Sequence, residues 1–520
     1  MWRSTRFAEG PRTGVAVAVI AVGVAAFLLA VGLGPDALPY PPASQYSDAA
    51  LTHWPNALYL YRNGFALWNP RIMSGLPFAA NPLSKMWYPP QWLALILPPT
   101  LHLNLMTWLH LTLAGAGMWA WARASGMHPL PAALAAAAYA FAPKTIAHLG
   151  AGHLDIVYAM GWFPWLLWAV FLGARRAVPS PRGSVHSGLR LGAVAALLFL
   201  ADVRISVFAY ATAAAYALWL SLTLRPPFSD RDGGSGRARS APLVIGVGLA
   251  AALTAAQWVP LAALAPYLSR GTLTPEDAGV FFMQPEGLLG TVLGNHAGFH
   301  ETMAYAGLTV LLLAGVGLLK RPRRLFFWAG TVVVAVLYAL GPSGPLWPAL
   351  TGLFPPLLWL RAPGRAWFVV TLGLPYLAGW GAQALAQGRV GRGRARMAVV
   401  ALLGGAVACG AASTLMLTSA LGAEITVAAL VVSLATAAVA LAPALAGRLD
   451  RRLIAPALLI IALADLAWID LSLVEGRGCD FWLDPYAELA EYLLGVDAGR
   501  VYTPSNSLPQ QAAAWWEINL

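Results

Sequence analysis

A chain of 520 residues that is 59% hydrophobic and only 11% charged has less than half the charge of an ordinary globular domain, about 25%. That argues against a string of soluble domains. The excess of 33 Lys and Arg over 22 Asp and Glu gives a net charge of +11, and its placement, described next, assigns it to membrane topology rather than to nucleic acid.

The apolar residues fall in blocks of roughly 17–25, the length of a membrane-crossing helix, and not in alternating ten-residue strands, as an outer-membrane barrel requires. In chain order they predict an all-α polytopic membrane protein with about 13 transmembrane helices: 13–33, 103–122, 130–143, 154–173, 188–200, 203–223, 242–268, 303–319, 325–341, 366–386, 398–418, 425–446 and 453–471. With the N-terminus in the cytoplasm, alternate connections hold 23 of the 33 Lys and Arg, from Arg3, Arg6 and Arg12 to Arg448, Arg451 and Arg452, and only four acids, Glu9, Asp230, Asp232 and Asp450. Clustered Lys and Arg resist translocation, so this bias sets the orientation. The first block follows basic residues as a signal peptide does. Yet the run from Val15 to Val31 is long and Gly34-Pro35-Asp36 offers no small-x-small cleavage site, so it reads as an uncleaved anchor. Cys409 lies within a span and Cys479 outside one, which gives no disulfide framework. No fixed-period repeat is present.

The first outer connection, 35–102, opens with Ser47-Asp48 and then places Leu51, Trp54, Leu58, Tyr61 and Phe65 as an apolar stripe at helical spacing. This predicts an interfacial helix, stopped near Gly64 and broken by Pro55 near Trp54. Trp68-Asn69-Pro70, Ser74-Gly75-Leu76-Pro77, Asn81-Pro82 and Tyr88-Pro89-Pro90 follow. Prolines and glycines at that density specify an ordered irregular path. Residues 1–471 thus form a transmembrane domain. After Leu471 the pattern turns polar, with Asp480, Asp484, Glu488, Glu491 and Asp497, and 472–520 reads as the beginning of an outer domain in a chain cut short.

Ionisable groups collect at the outer ends of spans: Asp48, His153 with Asp155, Asp202 with Arg204, His300 with Glu301, and Arg361 with Arg365. Charge at such depth is costly unless paired or facing water, which makes each a functional candidate. Each also has a structural reading. Asp48 suits the first turn of a helix after a serine cap. His153 and Asp155 are either a surface turn or a histidine oriented by a carboxylate for proton transfer or metal ligation. Asp202 and Arg204 either neutralise each other or serve a substrate. Arg361 and Arg365 flank Pro363-Gly364, a turn that clamps phosphate or binds lipid headgroups. Asp465 lies alone in the last span and reads as a partnered structural acid.

Taken in order, Ser47-Asp48 with Trp54-Pro55, Gly64, Trp68-Asn69-Pro70, Gly75-Leu76-Pro77, Asn81-Pro82, Tyr88-Pro89-Pro90, Gly152-His153-Leu154-Asp155, Tyr305-Ala306-Gly307-Leu308, Arg361-Ala362-Pro363-Gly364-Arg365, Leu377-Ala378-Gly379-Trp380-Gly381 and Arg500-Val501-Tyr502-Thr503-Pro504 resemble the YfhO-like bacterial membrane proteins. These are glycosyltransferases of the GT-C superfamily. The resemblance runs along essentially the whole chain. It implies a GT-C-like fold in the bacterial cytoplasmic membrane, a polyprenyl-phosphate-linked sugar as donor and a cell-envelope polymer or glycolipid as acceptor on the outer face. Asp48 matches the acid of the first outer loop that activates the acceptor. Many relatives carry two adjacent acids there, whereas Ala49 follows Asp48 here, which speaks against a paired-acid metal mechanism. A divalent metal is left open, and no cofactor is fixed by the sequence.

On this reading Asp48 is the base, with His153 and Asp155 beside it. Arg361, Arg365 and Arg204 are expected to stabilise the departing phosphate. Trp54, Trp68, Asn69, Tyr88 and Asp202 are expected to line the substrate, aromatic faces suiting sugar rings. A single carboxylate acting as base inverts the anomeric centre. The competing readings are a transporter or flippase, and a non-catalytic assembly component, for an envelope glycolipid or polymer.

Overall fold

The computed structural model describes residues 11–388 and 451–519, apart from 73, 176–180, 224–234, 269–272, 295–297, 321, 497–498 and 503–507. The expected spans 398–418 and 425–446, Cys409 and the end of the Arg500–Pro504 motif lie outside the described residues. Helices dominate. In chain order they are α1 (Pro11–Ala30), α2 (Trp54–Asn63), α3 (Pro99–Ala124), α4 (Pro129–Ala140), α5 (Pro143–Gly150), α6 (Leu154–Arg175), α7 (Pro181–Ala201), α8 (Val203–Thr223), α9 (Ser235–Leu264), α10 (Pro275–Ala278), α11 (Leu308–Lys320), α12 (Pro322–Ala339), α13 (Leu346–Leu353), α14 (Trp367–Ala386), α15 (Ile454–Asp470) and α16 (Asp480–Gly495). Among the described residues six helical stretches are long and apolar enough to cross a membrane: Pro129–Gly150, Leu154–Arg175, Arg182–Ala201, Val203–Thr223, Ala241–Tyr267 and Pro363–Ala386. Shorter apolar helices cover Gly14–Ala30, Leu308–Lys320 and Leu325–Ala339.

Two expected spans come out longer than their apolar blocks. The block at 130–143 continues through Ala142-Pro143 into α5 and reaches Gly150. Lys144 does not end it, because its ammonium donates to the main-chain carbonyls of His300 (3.1 Å) and Glu301 (2.5 Å), which satisfies a charge that the interior would otherwise reject. The block at 188–200 begins at Pro181, where a proline fits the first turn of a helix.

The helices pack as a bundle in which α3 lies along α6, α7 along α9 and α11 along α14. The window around α14 is wholly buried, while that of Ala241–Tyr267 is only 17% buried. One helix is therefore central, and the other turns most of its apolar surface outward, as a lipid-facing helix must. A two-stranded antiparallel sheet joins distant parts of the sequence, β1 (Ala37–Tyr40) pairing β2 (Glu475–Gly478) in the register Ala37↔Gly478 to Tyr40↔Glu475. The segment after α15 thus folds back on the first outer loop. Arg71 pairs with Glu517 at 2.9 Å, and Trp54 meets Trp482 edge-on.

In that loop a π-helical turn at Ala49–His53 passes directly into α2. The break expected from Pro55 takes the form of this change of helix type. Gly64, with φ 65°, ends α2.

Candidate active site

The turn Gly152-His153-Leu154-Asp155, between α5 and α6, is pressed against the start of the loop helix. Gly152 makes this contact. Its φ is +81°, and a Cβ there would lie 2.1 Å from the Ala49 nitrogen and 2.4 Å from Ser47 Oγ, so no side chain fits. The Asp48 N–H donates to the Ala151 carbonyl at 3.0 Å. Ser47 Oγ donates to Pro39 O and accepts from the Ala49 N–H. The serine cap expected from sequence is present, one residue before the acid.

Asp48 and His153 form the first cluster, Nε2 lying 2.9 Å from Oδ2, with half of the Asp48 side chain exposed. A carboxylate only accepts, so Nε2 carries the proton. Burial alone raises the Asp48 carboxyl. The hydrogen bond from His153 outweighs it and holds the group below its ordinary 3.8.

A second cluster lies deeper. Arg204 donates to Asp155 and to Asp202 Oδ2, the latter at 2.6 Å. Asp202 Oδ1 also accepts the N–H groups of Arg204 and Ile205, which caps α8. His53 Nε2 lies 3.7 Å from Asp155 Oδ1. Burial depresses the His53 imidazole below its ordinary 6.5 despite that acid. Lys85 is buried, donates to Ala201 O at 3.0 Å, and is drawn down by burial against the pull of Asp155 and Asp202. His153 and Asp155, two residues apart at a helix start, thus point to different partners and do not pair with each other.

The third cluster joins α5, the 298–303 segment and α14. His148 Nε2 faces Glu301 Oε2 at 3.4 Å, and Arg365 donates to Glu301 Oε1, its Nε at 2.9 Å. Burial would raise the Glu301 carboxyl, but His148, when its Nε2 carries a proton, and Arg365 keep it well below the carboxylate range. Arg361 does not join Arg365. It is exposed, its guanidinium carbon 5.9 Å from the Phe281 ring centre, because Pro363–Ala366 forms a 3-10 turn that separates the two arginines. The clusters touch through imidazole rings: His153 lies 5.3 Å from His148 and 4.6 Å from His300, centre to centre.

Of the expected lining residues, Trp68 is exposed, its indole packed where a Cβ on Gly75 would be. Asn69 is buried and bridges Leu76 through its backbone. Trp54 and Tyr88 are interior. Trp54 donates to Thr100 Oγ1 at 3.0 Å, and the Tyr88 hydroxyl lies against His110 Nε2 and accepts from Trp162 at 2.7 Å. Both are amphipathic rings whose polar tips found partners inside. Asp465 is partnered by the Tyr305 hydroxyl and the Thr309 N–H.

Sequence reasoning missed His53, Lys85, Lys144 and His148. A signal existed for two of them: Lys85 and Lys144 are two of only three lysines in the chain, set in stretches with no other basic residue nearby.

No protein-family model and no curated protein matches the sequence. Solved structures do. ArnT from Cupriavidus metallidurans in the apo state has a TM-score of 0.53 at 16% identity, covering 98% of this chain and 86% of that one. The same protein bound to undecaprenyl phosphate gives 0.50 at 15%, covering 98% and 85%. Arabinofuranosyltransferase AftD from Mycobacteria gives 0.51 at 15%, covering 93% of this chain and 30% of that one. The described residues share the fold of these structures. In it the three clusters occupy the junction of the 35–102 loop, the α5–α6 turn and the turn that precedes α14, so residues far apart in sequence share one rim.

Proposed function

We propose that the chain is a YfhO-like glycosyltransferase of the bacterial cytoplasmic membrane, N-terminus inside and the segment after α15 outside. It would transfer a sugar from a polyprenyl-phosphate donor to an envelope polymer or glycolipid on the outer face. One observation carries this reading: Asp48 is a half-exposed carboxylate fixed in place by His153 at the rim, next to buried charges that hold the surrounding loops. Support for the donor class comes from ArnT, whose structure holds undecaprenyl phosphate.

The chemistry follows from the groups present. The acceptor hydroxyl oxygen attacks the anomeric carbon while Asp48 takes its proton. The bond from that carbon to the phosphate oxygen breaks, and the polyprenyl phosphate leaves with the electron pair. With one carboxylate and no covalent intermediate the centre inverts. Arg204 and Arg365 already face acids, so Arg361, exposed and in no ion pair among the described residues, is the first guanidinium to meet the phosphate. Trp68 supplies an exposed flat ring for a sugar.

Asp48→Asn, assayed in proteoliposomes with a polyprenyl-phosphate sugar, should lose transfer by about 10²–10⁴-fold, the usual contribution of a general base. Full turnover by the variant removes Asp48 from the mechanism. Movement of the lipid across the bilayer by the parent chain, with no sugar transferred, replaces the transferase reading with a transporter.

A further inference from the structure

The transfer step just described uses His153 only to hold Asp48, and His148 and Glu301 not at all, yet the three converge. One ring nitrogen from each histidine and one carboxylate oxygen lie within 4.8 Å of one another. Their hydrogen bonds fix which atoms carry lone pairs. His148 Nδ1 is 2.8 Å from the Lys144 carbonyl; a carbonyl only accepts, so Nδ1 holds a proton, and in the neutral ring Nε2 is the nitrogen with a lone pair. That lone pair faces Glu301 Oε2 at 3.4 Å, with the two side chains 0% and 2% exposed. His153 donates from Nε2 to Asp48, and its Nδ1 is buried with no hydrogen-bond partner.

The His148 nitrogen and the Glu301 carboxylate are two acceptors face to face in a buried spot, with the partly exposed His153 ring beside them, and acceptors facing one another repel. A proton added to His148 Nε2 satisfies Glu301 but leaves His153 Nδ1 orphaned. A single cation satisfies all three. The nearby protein cations are directed elsewhere: Lys144 donates to two main-chain carbonyls, and Arg365 to the other oxygen of Glu301.

We infer that His148, His153 and Glu301 form a divalent-metal site of the zinc type, with Asp48 holding His153 from behind. Two imidazoles and one carboxylate are a donor set that zinc takes in three-ligand sites. Tetrahedral donors about 2.0–2.1 Å from zinc lie about 3.3–3.4 Å apart, the spacing of the His148–Glu301 pair. Metal-bound histidines characteristically give their second nitrogen to a carbonyl or a carboxylate, as His148 does to Lys144 and His153 to Asp48. His300, its ring centre 5.1 Å from that of His148, borders the set. The inference does not depend on the transferase reading, since metal binding is measured without a sugar.

The test uses the full chain in detergent, stripped with a chelator and titrated with Zn²⁺ or Co²⁺ alone. We expect about one tightly held equivalent by elemental analysis after desalting, visible d–d absorption from Co²⁺, and a rise in unfolding temperature with Zn²⁺. His153→Ala, on the partly exposed turn, should fold and lose the Co²⁺ spectrum. His148→Ala and Glu301→Gln should also lose it. Asp48→Asn should retain the site with affinity lowered about 10–100-fold, as for an outer-shell partner. Stripped parent protein that takes up no stoichiometric metal, or a folded His153→Ala chain that binds as the parent does, overturns the site.

Discussion

His53 shows how a polar residue enters this interior without its charge. Only 4% of its side chain is exposed, and burial makes the neutral imidazole the stable form. The unfolded chain binds a proton below about 6.5 that the folded chain resists, so stability rises with pH through that region and is lost as pH falls below it. The midpoint of thermal unfolding should be flat above about pH 7 and drop as pH falls below about 6.5, the direction that the lowered His53 pKa requires. His53→Gln should flatten that drop; an unchanged pH profile in the variant removes His53 as its source. At this scale the sequence was legible for exposed or loop-borne charge and opaque for buried charge. Asp48, Asp202 and Arg204 stand out because they interrupt apolar text at a span end. Lys144 escapes notice because a helical span tolerates it only through the carbonyls of residues 300–301, and His148 because it faces the Glu301 carboxylate; no local pattern announces a partner about 150 positions away.

Elements were easier to read than partners. Block length and hydropathy place α1, α3, α6, α8 and α14 close to their expected bounds, because twenty apolar residues in lipid have little alternative to a helix. The α4–α5 run was read short since Pro143 and Lys144 together look like an end. What joins elements was less visible: Gly152 could be seen as a turn residue, but not as the point where Ala49 and Ser47 come within 2.4 Å of its missing Cβ. Gly152→Ala should cost about 1–3 kcal/mol in backbone strain alone, with displacement of the Asp48 segment in addition. Thermal unfolding in detergent checks it, and a variant as stable as the parent would show that the turn has room to spare.

Across the whole molecule the 35–102 loop is held by the segment that follows α15. β1 lies on β2, and Glu517 reaches Arg71 and Arg62. These last pairs are half-exposed, so Glu517→Ala should change stability by less than about 1 kcal/mol. Arg204→Gln is the opposite case. It strands two carboxylates that are 4% and 1% exposed, and should cost about 3–5 kcal/mol by chemical denaturation. A cost below about 1 kcal/mol would mean that water reaches the cluster.

That same guanidinium has a mechanical consequence. Asp155 belongs to α6 and Asp202 to the entry of α8, so Arg204 rivets the N-terminal ends of two neighbouring helices. A machine that opens alternately to either side of a membrane rocks one group of helices against another. If that stroke parted α6 from α8, every cycle would have to pull the rivet out and drive it back. A chain built this way is better suited to standing still while its substrates come and go.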